Sequence, residues 1–533
     1  MRLEWLVLVL KKYKLLIITK KFNLLRFLTV LLFCLSVTVL LQAQESSTSG
    51  NTADDEYLLL REQLIAQDRS TVFDRNIVLD SAEEVLDKRL VALRDSMLMK
   101  YKEQHFFPPA RYFFQSKKHI EETGLFRIIS MMPKGGILHL HDAAAGDARW
   151  VVNRVLSEPG AYVYWDAENG PYTKGQINFY RQHQAPPGFY EATLLNRQVE
   201  NFPDSLHALL TFDESIDADS VDIWNEFELV FQRIYGFVRY QPVFKDYVRH
   251  YLELLVADGI QHVELRSIIS GLYHLQHPEG YFNADSTIGY LQESAKTIRQ
   301  KEPAFTLKII YTSLRFKSPD QILQDLATAY ELRRRFPSLI KGFDLVAEED
   351  HGHSTLFFLE TWMKMDSLEQ VYGVDMPLYL HDGESDWVSS RNLYDAVLLN
   401  SRRIGHGFNL FRYPNLLEQV RSRDICLEIN PISNQILGFI RDLRLHPGSN
   451  YLTRGVPCVI SSDDPLIFDY RGLSYDFWEV FLAWELDLRK LKGLALNSLI
   501  YSALDEQEKE DAVNYFNERW SRFVESALNE LNQ

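Results

Sequence analysis

From about residue 130 onward, short apolar runs alternate with longer amphipathic stretches. The runs cover 136–141, 262–267, 306–312, 340–345, 378–381, 403–406, 426–429 and 458–462. Helical spacing occupies the stretches between them, for example 243–257, 319–335, 356–365 and 390–399. Eight strand–helix units predict an α/β fold, a TIM-like (β/α)8 barrel. A doubly wound sheet would satisfy the same alternation. The barrel is favoured because polar clusters end several different strands, and a closed barrel brings those ends to one mouth.

Two segments depart from the alternation. Residues 54–129 are rich in Leu, Glu, Arg and Lys at helical spacing, which predicts a helical segment ahead of the barrel. Ser81-Ala-Glu-Glu84 reads as a capping box, and Val85, Leu86, Leu90, Leu93 and Met97 form an apolar stripe. Residues 144–220 are too long for a barrel loop and carry Tyr, Asn, Gly, Pro and acids with weak periodicity. They read as an insertion after the first barrel strand; a lid, a binding module and a partly disordered loop all remain open. The barrel body is therefore expected over 130–533, with the insertion at 144–220.

Residues 1–44 hold two apolar runs separated by basic residues, the second ending at Leu41-Gln-Ala43. This is the pattern of a signal peptide, with an uncleaved membrane anchor as the alternative. A polar linker follows at 45–53. The folded part is expected outside the cytoplasm. Only Cys426 and Cys458 remain beyond the leader, both in apolar runs, so buried free thiols are expected rather than a disulfide. The formal charge of −16 argues against nucleic acid or anionic membrane as the main partner.

The chemistry sits in four clusters at expected strand ends: His139-Leu-His141, His381-Asp-Gly-Glu384, Gly405-His406-Gly407 and Ser461-Ser-Asp463-Asp464-Pro465. Alternate residues of a strand share a face, so His139 and His141 leave their strand together. Three imidazoles and a carboxylate, from His139, His141, His381 and Asp463, are a donor set for one Zn2+. Such an ion lowers the pKa of bound water to about 7. His406 is placed to orient that water and take its proton. Glu384, three residues after His381, is a candidate general acid toward a ring nitrogen. Asp464, beside Asp463, is a candidate substrate contact.

These clusters resemble the signatures of the adenosine deaminase family. The flanking Met132-Pro-Lys-Gly-Gly136, Tyr240-Gln-Pro-Val-Phe-Lys-Asp-Tyr247, Val263-Glu-Leu-Arg266 and Gly342-Phe-Asp-Leu-Val346 are similar to its secreted growth-factor branch. The resemblance runs collinearly over about 55–530. It implies zinc-dependent deamination of adenosine and 2′-deoxyadenosine, with protonation of N1 by Glu384 and a bond from Asp464 to N7. It also implies homodimers through the N-terminal helices and an unknown surface partner for the insertion. Trp224, Glu264 and Asp142 are carried as further substrate contacts. The chain departs from the family at Ala347, where Gly is usual, and at Asp382, where Ala is commoner. The insertion carries no cysteine, which weakens any transfer of receptor binding. Two other readings are an amidohydrolase for a different aminopurine or modified nucleoside, and a non-catalytic extracytoplasmic binding protein. No Lys/Arg cluster accompanies the four signatures, so a nucleotide phosphate has no evident partner.

Overall fold

The computed structural model describes residues 52–167, 170–216, 222–277, 282–385 and 387–532. The apolar leader and most of the expected linker lie outside them. Among the described residues, no helix is long and apolar enough to cross a membrane.

Eight parallel strands form the centre: β1 (Gly135–His141), β5 (Ile260–Ser267), β6 (Thr306–Leu314), β7 (Ile340–Val346), β8 (His381–Asp382), β9 (Arg403–His406), β10 (Cys426–Ile429) and β11 (Cys458–Ile460). They pair in two runs, β1-β5-β6-β7 and β11-β10-β9-β8. Two parallel bridges, Leu140 with Asp463 and Phe343 with Leu378, join the runs into a closed ring. The expected barrel is present. The fifth expected strand, 378–381, is the most altered: its ladder covers only His381–Asp382, with Leu378 held by its bridge. The expected helix 356–365 is also divided, into a 3-10 turn Thr355–Phe358 and the helices Leu359–Trp362 and Met365–Tyr372.

All eight residues of β5 are buried, including Gln261, His262, Glu264 and Arg266. Polar side chains are costly there unless paired, so the barrel interior carries an ion network rather than an aliphatic filling alone. The Cys426 and Cys458 thiols are free and buried.

The described residues of 144–220 hold more regular structure than their pattern suggests. The antiparallel sheet β3-β2-β4 (Ile177–Phe179, Ala161–Tyr164, Phe189–Glu191) is flanked by the helices Ala148–Ser157, Ala192–Gln198 and Phe202–Leu210. Tyr162, Tyr164 and Phe189 form a small separate core within it. Three-residue strands give too few alternations to be read from sequence.

Residues 69–533 form one compact unit and 1–68 another. Of the second, the helix Thr52–Arg69 is described, with Tyr57, Leu58, Leu59, Leu60 and Leu64 exposed. The helix Ser81–Glu103 belongs to the barrel's unit. Its capping box lies one residue earlier than expected: Asp80 accepts from the backbone of Glu83, and the Glu83 carboxylate accepts from Asp80 N at 2.7 Å. Glu83 also accepts from Trp520 Nε1 at 2.6 Å, tying the helix to the C-terminal helix. Leu86 and Leu90 of the expected stripe are buried, whereas Val85 is exposed.

Candidate functional site

His139 and His141 leave the end of β1 on one face. Asp463 N donates to His139 O and His141 N donates to Asp463 O, both at 3.2 Å, so the residue after β11 is laced to β1. This brings Asp463 Oδ1 to 3.2 Å from the Nε2 of both histidines. His381 and His406 come from the neighbouring ends of β8 and β9, with ring centroids 4.4 and 4.8 Å from that of His139. The rings pack this closely because Gly405 has no side chain; a Cβ there would lie 3.0 Å from His139 Cε1.

Two buried carboxylates decide which ring nitrogens face the site. His139 Nδ1 lies 2.8 Å from Glu428 Oε2, and His381 Nδ1 lies 2.6 Å from Asp344 Oδ2. A carboxylate only accepts, so both Nδ1 atoms carry the proton and each ring can turn an Nε2 lone pair inward. His139 Nε2 is buried and has no hydrogen-bond partner. A lone pair facing a carboxylate oxygen at 3.2 Å is repulsive unless a cation lies between them. Burial, opposed by Asp344, holds His381 down at about 3, hence neutral at physiological pH. Burial would raise the Asp463 carboxyl, but the closeness of the His139 and His141 imidazoles outweighs it and keeps the group well below the ordinary carboxylate range. Neutral imidazoles around an ionised carboxylate fit a divalent metal.

Arg266 links the supports, donating from Nε to Asp344 at 2.8 Å and from Nη2 to Glu428 at 2.5 Å. Glu428 also receives Arg403 Nε at 2.6 Å, and Arg403 Nη2 continues to Glu264 at 2.5 Å. Sequence reasoning missed Asp344, Glu428 and Arg403 as members of the site. Their signal was a charged residue inside an otherwise apolar strand.

Glu384 follows β8 and is buried, with Oε1 unpartnered and 3.3 Å from His406 Nδ1. Its backbone N donates to Glu349 Oε2 at 2.7 Å. Burial, then the nearby charges of Asp463 and Glu349, push its carboxyl well above the usual range, which favours the protonated form. The same causes, burial and then Asp463, raise Asp464.

The cluster opens on a cavity of about 890 Å3. His141, Asp142, Trp224, Ala347, His381, Glu384, His406, Asp463 and Asp464 line it, and so do Tyr172, Thr173 and Gln176 from the insertion. His139 lies behind its neighbours, fully buried. Asp142 bonds Ser267, and burial raises its carboxyl to about 6. Glu264 is not brought to the cavity. Its oxygens are taken by Arg403, His262 and the backbone of Ala503, toward the N-terminal end of the barrel.

Residues 196–518 match the family model for adenosine deaminase, and 28–129 match the adenosine/AMP deaminase N-terminal model. The chain belongs to the adenosine deaminase family. It is an enzyme of that family, a hydrolase. It is 36% identical over 512 residues to adenosine deaminase 2 of Sus scrofa, covering 92% of this chain and 97% of that protein. Among solved structures, adenine deaminase from Arthrobacter aurescens aligns with a TM-score of 0.53 at 18% identity, over 73% of this chain and 99% of that one. A zinc-bound amidohydrolase from Burkhoderia ambifaria aligns with a TM-score of 0.50 at 14% identity, over 76% of this chain and 94% of that one. The solved structures extend the likeness to the fold.

Proposed function

We propose that this member of the adenosine deaminase family hydrolyses the 6-amino group of adenosine and 2′-deoxyadenosine, releasing ammonia. The observation that carries the reading is the pairing of an inward-facing His/Asp donor set with the protonated Glu384 on one cavity wall. His139, His141, His381 and Asp463 would hold one Zn2+, in keeping with the zinc-bound amidohydrolase neighbour. When bound, the ion acidifies water and so supplies a nucleophile at neutral pH.

The chain's own residues supply the rest. Glu384, kept neutral by burial, donates its proton to purine N1 as C6 is attacked. Asp464, also neutral, donates a hydrogen bond to N7. Both nitrogens are acceptors on adenine, so two buried carboxylic acids match them as donors. His406 contacts the attacking water. Asp142, Trp224 and the Ala347 wall surround the sugar and the base edge. Arg266, the guanidinium among the lining residues nearest the histidines, is engaged by Asp344, Glu428 and Leu138 O, which disfavours a phosphate there.

The N-terminal pattern supports export with cleavage after Ala43. The exposed apolar side chains of the helix Thr52–Arg69 support a homodimer contact. We read 54–129 as the helical segment, 130–533 as the deaminase body, and the insertion 144–220 as a cavity wall that also offers a surface to a partner. The test is an assay of adenosine, deoxyadenosine, adenine, AMP and guanine with zinc-loaded protein. Turnover of the two nucleosides and not of AMP is expected. Exclusive turnover of another aminopurine would replace this substrate assignment.

A further inference from the structure

His406 has two ring nitrogens near the proposed metal site, and its tautomer decides what it does there. The atoms of His139, His381, His406 and Asp463 are close enough together to hold an ion, as are those of His141, Asp463 and Asp464. Distance alone leaves His141 and His406 in competition for one coordination position.

A chain of hydrogen bonds that begins at a backbone amide resolves this. Gly448 N lies 3.0 Å from His446 Nδ1. A backbone N–H only donates, so His446 Nδ1 accepts and the neutral ring carries its proton on Nε2. His446 is fully buried, and burial holds its pKa at about 3, hence neutral. Its Nε2 lies 3.1 Å from Asn434 Oδ1, so the side-chain oxygen of Asn434 is the acceptor and the amide orientation is set. The Asn434 Nδ2 then faces His406 Nδ1 at 3.1 Å, as a donor. His406 Nδ1 therefore accepts, and the neutral ring carries its proton on Nε2. Two further neighbours are compatible with this: Asn430 Nδ2 is 3.4 and 3.3 Å from the two ring nitrogens and favours neither, and Glu384 Oε1, 3.3 Å from Nδ1, belongs to a carboxyl whose burial favours the protonated form, which can donate to Nδ1.

We propose that Asn434 and His446 are positioning residues that lock His406 as the Nε2–H tautomer, reserving it as a hydrogen-bond donor and excluding it as a metal ligand. Its Nε2 lies 3.8 Å from Asp463 Oδ2, too far for a direct bond. Asp463 Oδ2 is already occupied by Ser433 Oγ at 2.8 Å. In this tautomer His406 orients the attacking water by donating to it and takes no proton from it at Nε2. That replaces the proton-accepting role its residue type suggests. The fourth ligand is then His141. The inference rests on the metal-site reading given above.

The test is 15N-histidine NMR on the zinc-loaded protein, with His406 assigned by loss of its signals in His406→Gln. The wild-type spectrum should show the Nε2–H pattern for both His406 and His446. An Nδ1–H pattern for His406 would overturn the proposal without any variant. In Asn434→Asp an acceptor faces His406 Nδ1, so the pattern should switch to Nδ1–H. The kcat should fall about 10–100-fold while KM stays within twofold. His446→Phe, which removes the anchor, should mix the two tautomers. A His406 pattern unchanged in either variant would overturn the relay. The spectra report the tautomer whether or not adenosine is turned over, so a failure here and a failure of the substrate assignment are separate results.

Discussion

His139 Nδ1 and Glu428 Oε2 lie 2.8 Å apart with both side chains wholly buried. That one contact fixes the ring orientation, places the proton on the outer nitrogen and presents Nε2 to Asp463. Glu428 itself is held by Arg266 and Arg403, so the proposed metal site is braced from within the barrel.

Glu428→Gln should therefore weaken the site without removing a ligand. The amide can offer His139 a donor where an acceptor is required, and it leaves two guanidinium groups with one carboxylate fewer. Zinc affinity is expected to fall about 10–100-fold. Competition with a chelating dye measures it; unchanged affinity would show that Glu428 serves the fold alone.

Glu384→Gln should keep the fold and the zinc content, because Glu384 belongs to neither donor group. Its amide has no acidic proton for the ring nitrogen. The kcat is expected to fall about 10²–10⁴-fold. Retained activity would place the acid elsewhere.

Glu264 predicts acid sensitivity. Burial alone would raise its pKa, but Arg403 and His262 beside it hold the carboxyl at about 2, against an ordinary 4.5. A carboxylate depressed in the folded state adds stability that is full above the unfolded value. That stability is lost as pH falls from 4.5 through 2. Glu264→Gln should flatten stability across that window and cost roughly 3 kcal/mol at pH 7. Urea unfolding at a series of pH values measures both effects; an unchanged pH slope would contradict the assignment.

Ala347 has φ +86°, a left-handed conformation that a Cβ disfavours. Ala347→Gly should relieve about 1–2 kcal/mol of strain and lose part of that to the greater freedom of the unfolded chain. A net gain of about 0.5–1 kcal/mol is expected, read from thermal or urea unfolding. A net loss would mean the methyl packs favourably against the cavity wall.

Much of this was legible in the chain. Strands 403–406 and 426–429 were placed to the residue, because each is a short apolar run with clear polar flanks. The four clusters were visible because a barrel converges strand ends, and the structure brings His139, His141, His381, His406, Glu384, Asp463 and Asp464 together. The supports were not visible. Asp344 and Glu428 act through hydrogen bonds between strands far apart in sequence, and period-2 alternation says only that they face inward. His446 was beyond reach for the same reason: its link to His406 runs through Asn434 and depends on which end of an amide faces which ring. The insertion is less legible because its strands β3 and β4 have three residues each.

We propose that a metal held by His139, His141, His381 and Asp463 is what makes the cavity a nucleoside deaminase. The direct measurement is a zinc titration of metal-stripped protein spanning 45–533, following loss of the 6-amino chromophore of adenosine. Activity should rise linearly and saturate at one zinc per chain, and His139→Ala should abolish both binding and activity. Protein that binds one zinc yet turns over no aminopurine, or that is fully active without metal, would contradict the account.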